Sequence, residues 1–268
     1  MSPTTDSSAP YSSILSAVNE GSYSVTANVV MAGATRCSDT SDFTITPPGP
    51  WWQVGDGDIS TNGNITSIIP SSALNPMFIL NGPGGFPGIP TFLETLNVGP
   101  FASISSTSWS AQTATNLRRA YSYSWFSRQI PSSTEITDIS SSSVEGSFFE
   151  SGGTLSNGAY WYKFDGESGL DLTVSSDSNL GSRKVILLVK NGDLYLNGKI
   201  NLTDGEGFFM AIVGENTEGA KGNIYFDAEV GGSADGIAEI EGLFVADNTI
   251  YTGEGTSQLH IRGSLASI

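Results

Sequence analysis

The sequence predicts an all-β protein, a right-handed parallel β-solenoid (β-helix) interrupted by a loop-plus-helix excursion and preceded by a short β-hairpin region. Three observations carry that expectation. The stretch VGDGDISTNGNIT at 54–66 returns as VKNGDLYLNGKIN at 189–201. From residue 159 onward, short apolar strands follow one another with no helical pattern between them. The breaks hold Gly, Asn and Asp at quasi-regular intervals, so coils can be drawn at 159–182, 183–205, 206–236 and 237–263, within the range of solenoid repeats.

Taken in order, residues 1–20 are rich in Ser, Thr and Pro and read as a disordered leader. Residues 21–46 form a hairpin. Tyr23, Val25, Ala27 and Val29 alternate on one face, a turn falls at Gly33, and Phe43 and Ile45 point inward from the second strand. This pair is similar to the last two strands of an immunoglobulin-like module. PPGP at 47–50 is a stiff linker. The solenoid domain then spans 51–268, with 71–158 as an excursion of Pro/Gly loops and one helix over 111–129. In that helix Leu117, Tyr121 and Trp125 recur at helical spacing and are expected to pack on the solenoid, and Pro131 stops it. The last strand, QLHIRGSL, has little sequence after it to cover its edge. It is therefore expected to be shielded by the excursion or to be where another subunit docks.

The repeat assigns roles to residues. Val54, Ile59, Ile65, Val189, Leu194 and Ile200 are expected to point inward and stack in ladders. Gly57, Asn62 and Gly63, with their counterparts Gly192, Asn197 and Gly198, are expected at equivalent corners, where left-handed backbone costs Gly and Asn little. Asp58 and Asp193 are expected to cap the adjacent turns. Ile59 and Leu194 should hold equivalent positions, as should Ile65 and Ile200.

PWWQVGDGDISTNGNITSIIP, LRRAYSYSWFSRQIP, KVILLVKNGDLYLNGKI, GFFMAIVG and GLFVADNTIYTGEGTSQLHIRGSLAS together resemble an uncharacterised C-terminal module of large exported surface proteins from small-celled, uncultured candidate-phyla bacteria. The resemblance covers about 50–265 and implies location more than chemistry. It brings no catalytic residues.

The charges narrow the function. With 27 acidic and 11 basic residues the net charge is −16, and such a surface repels phosphate backbones and anionic lipid, so nucleic acid and membrane insertion are not expected. A single cysteine, Cys37, rules out an intrachain disulfide. Low Lys with abundant Ser, Thr, Gly and Asn points to an extracellular or cell-surface location. His260 alternates with Leu259 and Ile261 and reads as an outward strand residue. No hydrolase elbow, P-loop or zinc motif is present. Two chemistries remain. Asp165/Glu167, Asp204/Glu206 and Glu239/Glu241 are carboxylate pairs spaced as glycoside cleavage requires. Asp56, Asp58, Asp204 and Glu206 are weak calcium candidates that miss the known loop patterns. The expected function is a non-enzymatic structural or adhesive module of a bacterial surface or secreted protein, without a resident cofactor, meeting a surface glycan or another protein subunit. The alternative is a carbohydrate-active enzyme, a glycoside hydrolase or polysaccharide lyase on a β-helix.

Overall fold

The structure is a computed structural model. It describes the chain except residues 1–20, 32–33, 46–50, 71–72, 74, 83, 114–121, 168, 215–221, 233–236 and 253–257. The chain divides into two units, Met1–Pro48 and Gly49–Ile268. The first is an antiparallel pair, β1 (Gly21–Met31) and β2 (Ala34–Ile45), with a register shift between Val29 and Val30. Ala27 and Val29, expected on a buried face, are exposed, because a lone pair of strands offers no second layer to bury them. Cys37 is an exposed residue of β2. Gly33 lies outside the described residues.

The second unit opens with β3 (Trp51–Gly55), β4 (Ile59–Thr61), β5 (Ile65–Thr66), β6 (Ile79–Leu80), β7 (Pro90–Phe92), β8 (Leu96–Asn97) and β9 (Ala111–Gln112). Helix α1 (Tyr123–Gln129) leads to β10 (Thr137–Ile139), β11 (Ser143–Val144), helix α2 (Ser147–Ser151), β12 (Leu155–Ser156) and β13 (Ala159–Asp165). Then come β14 (Leu172–Val174), β15 (Ser178–Gly181), β16 (Lys184–Lys190), β17 (Leu194–Leu196) and β18 (Ile200–Leu202). The chain finishes with β19 (Phe208–Gly214), β20 (Ile224–Phe226), β21 (Ile240–Ala246), β22 (Ile250–Tyr251) and β23 (Gln258–Ser267). Every strand pairing here is parallel except that of β12 with β13.

The pairings form three ladders. Ladder A runs β10-β13-β16-β19-β21-β23-β4-β7-β9. Ladder B runs β11-β14-β17-β20-β22, and β5-β8 pair separately. Ladder C runs β15-β18-β21-β23-β3-β6, and it joins ladder A because β21 and β23 are long enough to serve both. Inward residues align across rows. Leu187, Ala211, Phe244, Leu265 and Ile59 are in register in A. Leu172, Leu194, Ile224 and Ile250 are in register in B. Ile200, Ile240, Ile261, Val54 and Ile79 are in register in C. These side chains meet in one hydrophobic core. Burying aligned aliphatic rows, at about 25 cal/mol per Å² of apolar surface, is the main force holding the unit together.

This order corrects two expectations. Residues 71–158 are not an excursion from one coil, since β6–β9 extend the ladders beyond β4 while β10 and β11 extend them beyond β13, at the other end. The last strand does not have a bare edge either: β23 pairs with β21 on one side and with β3 and β4 on the other. Chain order and spatial order differ because parallel pairing selects matching edges, whatever their separation in sequence.

The repeat is real in its burial and shifted in its place. Val54, Ile59, Ile65, Val189, Leu194 and Ile200 are all buried. Yet the first copy runs from β3 of ladder C through β4 of ladder A to the separate β5-β8 pair while the second traverses A, B and C, so Ile59 and Leu194 lie in different ladders, and Ile65 and Ile200 in different sheets. The left-handed backbone falls on Asp56 (φ 59°) and Asn191 (φ 58°), not on Asn62, Gly63, Asn197 or Gly198. Gly198 is needed for another reason: a Cβ there would lie 2.1 Å from the Ser176 carbonyl carbon. At the C-to-A corner Gly242, Gly263, Gly57 and Gly88 stack, and a Cβ on Gly263 would sit 1.9 Å from the Gly242 carbonyl oxygen.

Of the helix expected over 111–129, the described residues show Tyr123–Gln129 as helix α1. Ala111–Gln112 is strand, Leu117 and Tyr121 lie outside the described residues, and the helix begins at Tyr123 behind an Ser122 side-chain cap. Trp125 is 37% exposed, so it is not the packing residue. Tyr123 is. It lies with Leu188, Ile212, Val245 and Ala266 on the outward side of ladder A, and a Cβ on Gly214 would clash with its ring at 2.3 Å. Helix α2 packs beside β15, where Glu150 accepts the Asn179 backbone N–H at 2.7 Å. Its Phe149 stacks edge-on against Tyr162.

Gly263→Ala should lose about 2–3 kcal/mol through clash and strain at φ +135°. A melting curve should show a fall of about 5–10 °C, whereas Gly84→Ala, with only Phe86 nearby at 3.9 Å, should change it little. Tyr123→Ala should cost about 3 kcal/mol and Trp125→Ala less than about 1 kcal/mol. Equal losses in the two variants would contradict the packing assigned to α1.

Candidate functional site

The acidic residues sort into structural partnerships. Glu239 stands just before β21 and Glu241 lies on it, and both are buried. Glu239 accepts the His260 backbone N–H at 2.9 Å. Glu241 accepts the Leu202 backbone N–H and binds the Arg262 guanidinium, each at 2.5 Å. Arg262 also reaches Asp204 at 2.5 Å. His260 is buried, not outward, and meets the Trp51 ring edge-on at 5.9 Å. Gln53, Asp56, Asn201, Glu241, His260 and Arg262 line a cavity of about 440 Å³, so the fold does gather three of the singled-out groups there. A general acid must offer its carboxyl to a leaving oxygen, and both Glu241 oxygens are already engaged.

The other candidates are dispersed. Asp165 accepts the Asn191 amide at 2.6 Å and faces Lys163 at 3.8 Å, while Glu167 and Glu206 are exposed. Asp58 accepts the Ile89 backbone N–H from the next row. Among the described residues no group of three His, Cys, Asp or Glu is placed to hold a metal ion.

Asp193 shows what the corner acids do. Its Oδ1 accepts the Gly222 and Asn223 backbone N–H groups, both at 2.9 Å, and the Asn223 amide at 3.0 Å. The same reach recurs from row to row. Asp171 accepts from Asp193, Asn223 from Thr249 and Asn64 from Thr95. Each side chain thus satisfies a backbone donor of the following row, one that would be costly to bury unpaired. These bonds cross rows; they are not the local turn caps expected of Asp58 and Asp193.

A groove of about 820 Å³ opens beside ladder B. Ile250, Tyr251 and Thr252 form one bank, Asn64, Ile65 and Thr66 the other, and Trp52, Leu265 and Ser267 lie between. On the first bank Tyr195, Tyr225 and Tyr251 stack with centroids 4.6 Å apart and planes within 5°. Among the described residues no carboxylate lines this groove. Burial, then the charges of Asp193 and Asp171 and the phenols of Tyr195 and Tyr251, pushes the Tyr225 phenol up to about 12.

The stack was missed in the sequence, although a signal for it exists. Asp171-Leu172-Thr173, Asp193-Leu194-Tyr195, Asn223-Ile224-Tyr225, Thr249-Ile250-Tyr251, Asn64-Ile65-Thr66 and Thr95-Leu96-Asn97 share one pattern: a corner acceptor, an inward aliphatic, and an outward polar or aromatic residue. The thirteen-residue repeat hid this shorter one, because it aligns strands from different ladders. No helix among the described residues is long and apolar enough to cross a membrane. No protein-family model, curated protein or solved structure matches the chain.

The Tyr225 phenol gives a pH test. Below pH 10 it is neutral in both folded and unfolded chains. Between 10 and about 12 the unfolded chain releases the proton and the folded one keeps it, so stability should fall across that window. Absorbance titration should show two late phenols near 12, Tyr225 and the buried Tyr123, of which Tyr225→Phe removes one; titration of all tyrosines near 10 would contradict the geometry.

Proposed function

We propose that residues 49–268 form a right-handed parallel β-solenoid serving as a non-enzymatic structural or adhesive module of a bacterial cell-surface or secreted protein. The three-ladder parallel pairing supports the solenoid, and its hand follows from the rule for parallel crossover connections. One observation carries the non-enzymatic reading: the buried acids hold rows together. Asp193, Glu239 and Glu241 each accept a backbone N–H from another row, so the groups a glycosidase would need are used as mortar. A stack in which each row touches its neighbours makes a rod suited to spacing or display. The abundance of Gly, Ser and Thr and the net charge of −16 support an external location. A surface glycan or another protein subunit is the partner class.

The second reading, a carbohydrate-active enzyme, has one observation in its favour: Asp56, Glu241 and His260 share a cavity. The two are separated by a polysaccharide-cleavage screen run with the wild-type chain and with Glu241→Gln. No new reducing ends or unsaturated products should appear with any polysaccharide. Cleavage that Glu241→Gln abolishes while the melting curve stays intact would overturn the structural reading.

A further inference from the structure

Asn-Gly pairs occur at 62–63, 81–82, 157–158, 191–192 and 197–198. Four of them are locked into the rows. The Gly63 N–H donates to the Thr61 hydroxyl at 3.0 Å, and the Gly63 carbonyl accepts from Glu94 at 3.2 Å. The Gly82 N–H donates to the Phe86 carbonyl at 3.3 Å, while the Asn81 side chain accepts the Ser106 hydroxyl at 2.8 Å. A Cβ on Gly192 would lie 2.5 Å from the Leu170 carbonyl oxygen, and one on Gly198 would lie 2.1 Å from the Ser176 carbonyl carbon. Asn157-Gly158 differs. It is the two-residue turn between the antiparallel strands β12 and β13, with φ 48° and 81° as a type I′ turn requires. Both residues are exposed, and nothing lies within 4 Å of the place a Gly158 Cβ would take.

We propose that Asn157 is a site of spontaneous covalent modification, its side-chain amide being hydrolysed through a cyclic imide formed with the Gly158 backbone. The Gly158 nitrogen loses its proton and attacks the Asn157 Cγ. The Cγ–Nδ2 bond breaks and ammonia leaves, closing a five-membered ring. Water then opens the ring at either carbonyl, giving aspartate or isoaspartate. Across both steps one water is consumed and one ammonia released, with no change of oxidation state. Ring closure needs rotation of the Asn157 main chain and a nitrogen that no neighbouring side chain hinders. The open turn grants both, whereas packing between rows denies the rotation to the other four pairs. The Asn157 amide donates to the Thr134 hydroxyl at 2.7 Å, a bond that water can replace at this exposed turn. Isoaspartate adds an atom to the backbone of a two-residue turn, so Leu155↔Tyr160 and Ser156↔Ala159 lose their register. The Ser156 carbonyl is then drawn away from the Trp161 indole, which donates to it at 2.9 Å. Because β12 shares an edge of β13 with β10, the change loosens this end of the ladder. The proposal rests on turn geometry and is independent of the structural or adhesive reading.

The test incubates the full chain in mildly alkaline buffer, folded in one arm and unfolded by urea in the other. Digestion and mass spectrometry then follow conversion of amide to acid at each Asn-Gly pair. In the folded chain Asn157 should convert about tenfold faster than each of the other four, since an exposed turn opens far more readily than packed rows. In urea that preference should shrink to about threefold or less, because the rows no longer hold the other pairs. Another pair converting as fast as Asn157 in the folded chain overturns the assignment. So does an undiminished preference for Asn157 in urea, which would make the selection one of local sequence and not of the turn. Amide hydrogen exchange on aged protein that carries isoaspartate at 157 should be faster than in fresh protein over residues 154–161. Unchanged exchange there would overturn the loosening of β12 from β13.

Discussion

The pairing of β23 with β3 and β4 is the contact on which the second unit depends. It joins residues about as far apart as this unit allows: the Ser264 hydroxyl accepts the Asp58 backbone N–H at 3.0 Å, and the Ser267 hydroxyl donates to Thr61 at 2.8 Å. On one side lie the rows that follow one another in sequence from β13 to β22. On the other lie β3 to β9, which the ribosome makes first. Without that pairing β23 would carry a bare edge, and β3, β4 and β6 would be a small sheet with half a core. Closing so long a loop costs entropy before contacts repay it, which places the fold among those with slow, non-local assembly.

What makes the joint possible is the uniformity of the rows. At the C-to-A corner Gly242, Gly263, Gly57 and Gly88 lie one above another, each too close to a neighbouring carbonyl to carry a Cβ. Three of these glycines come from different stretches of the chain, yet the corner is continuous through them. The corner before ladder B is equally regular. There Asp171, Asp193, Asn223 and Asn64 each accept a backbone N–H from the next row. Apolar ladders supply the attraction, while glycines and corner acceptors fix the register.

The same uniformity shapes the functional reading. Glu239, Glu241 and Asp193 are committed to backbone donors, and no described carboxylate lines the larger groove. That groove is bordered by tyrosines and by strand edges, which suits recognition. The proposed solenoid would thus act through shape.

The amino-acid sequence by itself determined the local vocabulary of this protein: short parallel-sheet strands, inward residues such as Val54, Ile59, Leu194 and Ile200, and corners of Gly, Asn and Asp. These features follow from burial and backbone freedom, which act within a few residues. It also held the corner–aliphatic–outward pattern that fills ladder B, although the stronger thirteen-residue match drew attention from it. Which ladder each strand enters was decided only in the tertiary structure. Ile59 and Leu194 each follow a Gly-Asp pair but lie in different ladders, because the rows a strand pairs with, and not its local motif, set its ladder. The same holds for α1, where Tyr123 packs and Trp125 does not, since helical spacing names a face without naming what lies opposite.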